Sequence, residues 1–306
     1  MVDTNTGKLP MQTTNVLIYV KSSSAANFNK AAAYQEFFQS HQAATEVTTL
    51  PSSADRSNDI RQLKQWVGQL DADTTAELLV VGGDGSVNIA AQACVSTTVR
   101  LTVIPAGTGN DFATALGIED WRWRMRGTPR LRQRSVGCIG EHIFINHAGA
   151  GISVALRDLQ GAWSKRWLKR YSYLWALVRY LFVPPRRRCM ITDSNGNDWE
   201  FQVAAVNRAI GGGIIVYPSA QLTTEVLGIL QVPRLSRWRQ LSALYWILRK
   251  QPEKSQLLDC HEAATFTIAD ANNIIELDGD AIELQGPATA SVKVNALNVY
   301  TQGNEQ

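Results

Sequence analysis

Two short stretches hold most of the residues whose types and spacing suit chemistry. Val80-Val81 runs into Gly82-Gly83-Asp84-Gly85-Ser86 with a helical pattern directly after it, and Pro105-Ala106-Gly107-Thr108-Gly109-Asn110-Asp111-Phe112-Ala113 repeats the order of strand end, glycine turn and helix start. Such a turn gathers backbone N–H groups and the positive end of a helix around one point, which suits a phosphate. Glycine lets the backbone approach because no Cβ intervenes. The same residues also fit a plain tight turn in which Asp84 only caps a helix. Thr108, Asn110 and Asp111 can cap the next helix, bind a phosphate or nucleotide, or hold the other loop. No Lys follows the first turn, so it is not a Walker A loop, and its spacing is not GxGxxG. Two such turns on neighbouring strands make one anion site. A third stretch, Leu277-Asp278-Gly279-Asp280, read alone, is a β-turn after a strand.

The elements that must position these turns follow from hydrophobic periodicity. Val16–Val20, Glu46–Leu50, Leu78–Val81 and Leu101–Ile104 read as strands; Ala31–Phe38, Asn58–Leu70 and Val87–Val95 read as helices between them. Strands alternating with helices imply a parallel sheet with crossover helices, whose ligands sit at the carboxyl ends of the strands. After about Arg134 short β-prone segments dominate: His142–Asn146, Cys189–Thr192, Trp199–Val206, Ile229–Val232, Ala264–Ile268, Ile274–Leu277 and Ser291–Val294. Helices are expected at 163–182 and 236–250, and Asn195-Gly196 predicts a two-residue hairpin turn. The change of pattern divides the chain into an α/β domain at 1–133 and a β-rich domain at 134–294.

The pairing of GGDG[ST] with PxGTxND resembles the diacylglycerol kinase catalytic-domain family, which includes bacterial lipid kinases and sphingosine kinases. Phe112-Ala113 and Leu116-Gly117-Ile118 fit its continuation, and Asn146 with Gly149-Ala150-Gly151, Asn207 with Gly211-Gly212-Gly213, Pro218-Ser219-Ala220 and Leu277-Asp278-Gly279-Asp280 are weaker matches. The resemblance implies a three-layer α/β domain with a mostly parallel sheet, of the NAD kinase and diacylglycerol kinase type, then a β-rich sandwich that receives a lipid, with residues 295–306 returning to the first domain. It implies ATP and Mg²⁺ as cofactors. ATP binding falls on Gly82, Gly83, Asp84, Gly85, Ser86, Thr108, Asn110 and Asp111, with Thr48 near the adenine. The general base falls on Asp280, and Asp84 and Asp278 are candidates for acting on the metal or its waters. Some family positions differ. Tyr19–Ser23 stands where the family has Asn-Pro-x-Ser-Gly, Ile89 where it has Glu, and Ser153 where it has Asp. Thr223-Thr224-Glu225 replaces Asp-Asp-Gly, which removes the usual support for a structural magnesium. Asp280 replaces Glu and is one methylene shorter, so an acceptor hydroxyl must come roughly 1.5 Å closer. These differences keep open a catalytically degenerate lipid-binding or regulatory protein. The GGDG turn, shared with phosphofructokinases and NAD kinases, keeps open a kinase for a soluble metabolite.

Charge sharpens the choice. The chain's 306 residues carry 30 Lys/Arg and 27 Asp/Glu, and 45% are hydrophobic, which excludes a disordered chain. Residues 121–188 hold 15 of the cations and two of the acids; the rest therefore holds 15 and 25, a net −10. Seven of the nine Trp lie in 121–126, 163–188 or 238–246. Interleaved Trp and Arg suit an anionic membrane surface, expected here at 121–134 and 163–188. The competing readings are a core-facing aromatic stripe with a solvated basic face, and single-stranded nucleic acid. Nucleic acid is not expected, because no RRM, KH or zinc pattern accompanies the basic run. The longest apolar stretch, Tyr171–Val183, contains Arg179 and is too short to span a bilayer. With no secretory signal and no CxxC pair, a cytoplasmic protein is expected, able to associate peripherally with membranes. His41, His142, His147 and His261 form no ligand set, and no GxSxG or Cys/His nucleophile is present.

Overall fold

The computed structural model describes residues 14–41, 45–71, 74–151, 191–193, 195–210, 213–268, 274–284 and 288–302. The expected helix at 163–182, the basic segment 163–188, Ser153 and Gly211-Gly212 lie outside them. The chain opens with β1 (Thr14–Val20), α1 (Ala25–His41), β2 (Thr45–Pro51), α2 (Arg56–Gly68), β3 (Thr75–Gly82), α3 (Asp84–Cys94), β4 (Arg100–Pro105) and the short helices α4 (Asp111–Ala115) and α5 (Trp123–Arg126). β2, β1, β3 and β4 are neighbours and parallel. Val16–Val20 and Leu78–Val81 are buried because helices cover the sheet, which is why these strands read as continuous apolar runs. α1 begins six residues earlier than periodicity predicts, with the Ser24 hydroxyl accepting from the Ala26 N–H. Asp55 caps α2 by accepting from the N–H groups of Ser57 and Asn58 at 2.8 and 3.2 Å.

The strand that sequence reading missed is β5 (Pro129–Ile139), eleven residues long. It starts Pro-Arg-Leu-Arg-Gln-Arg, a run that reads as basic surface rather than as sheet. β6 (His142–Phe144) pairs only with Gly137–Ile139, leaving 129–136 at the sheet margin, where Pro and Arg are tolerated. Residue 133 falls inside this strand. On its other side runs β17 (Ala288–Gln302), whose Leu297–Gln302 pair with Arg134–Pro129 while Asn298 and Val299 pair in parallel with β4. Asn295 takes φ 52° at the register break, so β17 bends and runs from one half of the molecule into the other.

The second half is antiparallel. β7 (His147–Gly151), β8 (Ile191–Thr192), β9 (Asp198–Ala205), β12 (Leu227–Pro233), β13 (Asp259–Ala263), β15 (Ile274–Leu277) and β16 (Asp280–Glu283) form one sheet. Its inner face packs Ala148, Ala204, Ile229 and Ile275 against Ile139, Phe144 and Ala290 of β5, β6 and β17 and Ile268 of β14 (Thr265–Ile268), giving a sandwich. The other face carries Val203, Ala205 and Leu230 under α6 (Arg237–Leu248), beside the hairpin β10 (Ala209–Ile210) and β11 (Ile214–Ile215). The fold class is thus an α/β domain with a mixed, mainly parallel sheet followed by a β-sandwich. The turn between β8 and β9 is longer than the two residues expected: Asp193 N–H bonds Asn197 O, and Gly196 sits at φ 81°.

Candidate functional site

The two glycine turns meet at the carboxyl ends of β3 and β4. A Cβ on Gly107 would lie 2.5 Å from the Gly83 Cα, and one on Gly83 would lie 3.0 Å from the Gly107 Cα. Neither residue has a positive φ, so close approach rather than backbone conformation requires glycine here. Asn110, in the left-handed region at φ 55°, locks the second turn: its side chain accepts from Gly107 N–H at 2.9 Å and donates to Gly107 O at 3.0 Å. No side chain caps α3, whose first turn presents Asp84 and Gly85 with open space beside Gly85. Ser86 packs under Gly82, and Thr108 is exposed on the second turn. A Cβ-free cradle at a helix start fits a nucleotide's phosphates.

Asp84 does not cap its own helix. Its carboxylate accepts from the N–H groups of Asp111 and Phe112 at 3.1 and 3.0 Å, and from Asn146 Nδ2 at 3.4 Å. It therefore clamps the second loop to the first. Asn146 in turn accepts from Asn207 Nδ2 at 2.7 Å, which also donates to Asp111 O.

Asp278 is a second clamp. Buried and at φ 50°, it accepts from three consecutive backbone N–H groups, Ile145, Asn146 and His147, at 2.7, 2.8 and 2.9 Å, and from Asn88 Nδ2 at 2.6 Å. That is why the strand expected across 142–146 breaks into β6 and β7: the carboxylate takes donors that a ladder would use. Burial pushes the Asp278 carboxyl up, against the pull of His147 and the donors around it. His147 Nε2 lies 3.3 Å from Glu276 Oε1 in the same buried pocket. Burial alone would lower that ring, yet Glu276, Asp278 and Asp111 lift it above the usual histidine range.

Asp280, two residues on, is different. Its side chain is 47% exposed, and Arg56 Nη1 holds one oxygen at 2.7 Å. Arg56 Nη2 donates to Asn88 Oδ1 at 2.5 Å, one helical turn from Asp84 on α3. Arg56, Asn88, Asn146 and Asn207 thus join Asp280, Asp278, Asp84 and Asp111 in one network. Arg56 carried no signal in the sequence beyond standing at the start of a helix.

Asp84 and Asp278, the candidates for acting on a metal or its waters, both have oxygens that accept from backbone N–H groups. Among the described residues no three His, Cys, Asp or Glu form a metal-binding group. Thr224 turns its hydroxyl onto Val226 O at 2.9 Å, and Ile89 is a buried core residue. Thr48 is not brought to the loops. It is exposed on edge strand β2 opposite Leu17, which lies opposite Leu78, four residues before Gly82; that is roughly 13 Å back along the strands.

The basic run at 121–134 is likewise only partly surface. Trp123 is buried and donates Nε1–H to Val103 O. Arg124 is buried in an ion pair with Glu77 at 3.1 Å, between the Phe38 and Tyr300 rings. Arg134 is 2% exposed over the Phe112 ring, and its desolvation lowers it to about 10. These three cannot touch a membrane; Arg122, Arg126, Arg130 and Arg132 remain exposed. No helix among the described residues is long and apolar enough to cross a membrane.

Residues 15–128 match the family model of the diacylglycerol kinase catalytic domain. A Chromohalobacter salexigens protein named probable lipid kinase YegS-like is 29% identical over 196 residues, 60% of this chain and 62% of its own length. A like-named Shewanella frigidimarina protein is 27% identical over 179 residues, 54% of this chain and 57% of its own. The chain thus spans less than two thirds of either relative. A putative diacylglycerol kinase from Bacillus anthracis shares the fold, with a TM-score of 0.70 over 94% of this chain and 97% of that one at 15% identity. The matched stretch, 15–128, carries both glycine turns, so the chain is similar there to the diacylglycerol kinase catalytic domain.

Proposed function

We propose that the chain is an ATP-dependent lipid kinase that phosphorylates a lipid hydroxyl at a membrane surface. The observation that carries this reading is the single network joining the glycine cradle, through Asn88 and Arg56, to the half-exposed carboxylate of Asp280. ATP, when bound, supplies the phosphoryl group, and transfer needs little beyond positioning, charge stabilisation and a proton acceptor. The N–H groups at the start of α3, at Asp84 and Gly85, with Thr108, hold the phosphates, while the Ser86 N–H is bonded to Gly83 O. Asp84 and Asn110 set the spacing of the two turns. Asp280 would accept the proton of the acceptor hydroxyl as the hydroxyl oxygen bonds the γ-phosphorus and the bond from that phosphorus to the departing ADP oxygen breaks, and Arg56 fixes the direction of the Asp280 carboxylate. Magnesium fits only as an ion carried on the nucleotide's phosphates, since the nearby acids are already engaged.

The test is transfer from labelled ATP, with magnesium, to a panel of lipids in mixed micelles. The wild type labels at least one lipid, and Asp280→Ala loses about 10²- to 10⁴-fold of the rate while nucleotide still binds. Equal rates would remove Asp280 from the base role. Absence of both transfer and nucleotide binding would leave a degenerate lipid-binding protein instead.

A further inference from the structure

Helix α6 has two apolar faces, and only one is used. Gln240, Ala243 and Leu244 are buried on the outer side of the sandwich, with Gln240 Nε2 donating to Glu200 at 2.7 Å. Trp238, Leu241, Tyr245 and Leu248, at i, i+3, i+7 and i+10, are 82, 46, 52 and 50% exposed. This spacing puts them in one stripe along the outside of the helix. They are half of the exposed large hydrophobic residues among the described ones, gathered on three turns.

The charges around the stripe say what it meets. From Leu227 to Lys250 the sequence holds Arg234, Arg237, Arg239, Arg249 and Lys250 and no Asp or Glu. Arg234, Arg239, Arg249 and Lys250 are exposed at the two ends of the helix, and Arg249 lies 5.7 Å from the centre of the Tyr245 ring. A second copy packed on this face would set these cations against one another with no acid in the segment to pair with. Aliphatic residues between the two rings interrupt any platform for stacked bases. Trp and Tyr at headgroup depth, Leu below them and cations beside them match an anionic bilayer. We propose that α6 lies in the membrane interface through Trp238, Leu241, Tyr245 and Leu248 and is the docking surface of the protein on anionic lipid.

This places membrane contact on the sandwich rather than on 121–134, and rests on the lipid-kinase reading only for the choice of a bilayer as partner. The probe is a vesicle of equal parts phosphatidylglycerol and phosphatidylcholine, followed by sedimentation. Wild-type protein binds, and binding weakens with salt and on pure phosphatidylcholine. Trp238→Ser with Leu248→Ser lowers the partition coefficient at least about 30-fold. Arg239→Glu with Lys250→Glu lowers it at least roughly tenfold at low salt. Both variants retain the wild-type rate on a water-soluble, short-chain acceptor. Should the apolar pair fail to fold, the charge pair decides. Quenching of Trp fluorescence by brominated acyl chains falls on Trp238→Phe. Wild-type affinity in both pairs, no vesicle binding by wild type, or a concentration-dependent dimer lost in the apolar pair overturns the proposal. Binding that depends on α6 in a protein that transfers no phosphate leaves this surface standing and overturns the kinase reading instead.

Discussion

Replacing Gly107 by Ala tests whether the contact between the two turns makes the phosphate cradle. The added Cβ starts 2.5 Å from the Gly83 Cα and 2.9 Å from Asn110 Oδ1. Carbon atoms prefer about 3.5–4.0 Å, so the turns must part by roughly 1 Å. Neither neighbour can simply rotate away: one is main chain, and the other is the side chain that bonds both ends of the Gly107 peptide unit. Overpacking of this kind costs about 1–3 kcal/mol of stability. A displacement of about 1 Å between catalytic parts costs on the order of 100-fold in rate. The expected outcome is therefore a fall of about 100-fold in kcat/KM for ATP in a protein that is still folded at room temperature. Gly68→Ala is the control, because nothing lies within 4 Å of a Cβ there and the site is remote; it keeps wild-type rates and is stabilised by about 0.5–1 kcal/mol. The assay is initial phosphoryl transfer against ATP concentration, with circular dichroism on each variant. Wild-type kcat/KM in Gly107→Ala would refute the idea that this contact sets the nucleotide site.

Asp278→Asn removes the charge that three backbone N–H groups converge on and turns an amide toward them; urea denaturation is expected to show a loss of about 2–4 kcal/mol. Trp123→Ala empties a buried site and costs about 3–5 kcal/mol in the same measurement, without changing vesicle binding of the folded protein; weakened vesicle binding would return Trp123 to the membrane surface. The His147 ring is raised above its ordinary value by Glu276, Asp278 and Asp111, which outweigh burial. Its contribution to stability is fully present below about pH 6.5 and is lost as pH rises through the folded-state value. The stability gap between wild type and His147→Gln should accordingly shrink as pH rises above about 6.5, and a gap that widens with pH would contradict the buried ion pair.

The local devices were legible along the chain. Four apolar strands, the helices between them and two glycine turns at strand ends are legible because periodicity and the steric demands of glycine act within a few residues. The partners of the acids came from packing across the fold. Asp84, Asp278 and Asp280 look alike in sequence, but Asp84 and Asp278 accept from backbone N–H groups while Asp280 is left half-exposed on Arg56, 224 residues away. No local pattern encodes a pairing across that distance. The same limit explains the basic run at 121–134. Arg122 and Arg124 are neighbours of the same type, yet one is solvated and the other is enclosed by Glu77, Phe38 and Tyr300 from three distant strands and helices. Burial is a property of the packed sheet, so charge counted along the chain named a surface that folding partly took inside. On α6, where periodicity could mark an amphipathic helix, only packing against the sandwich separated the apolar stripe that is used from the one left facing outward.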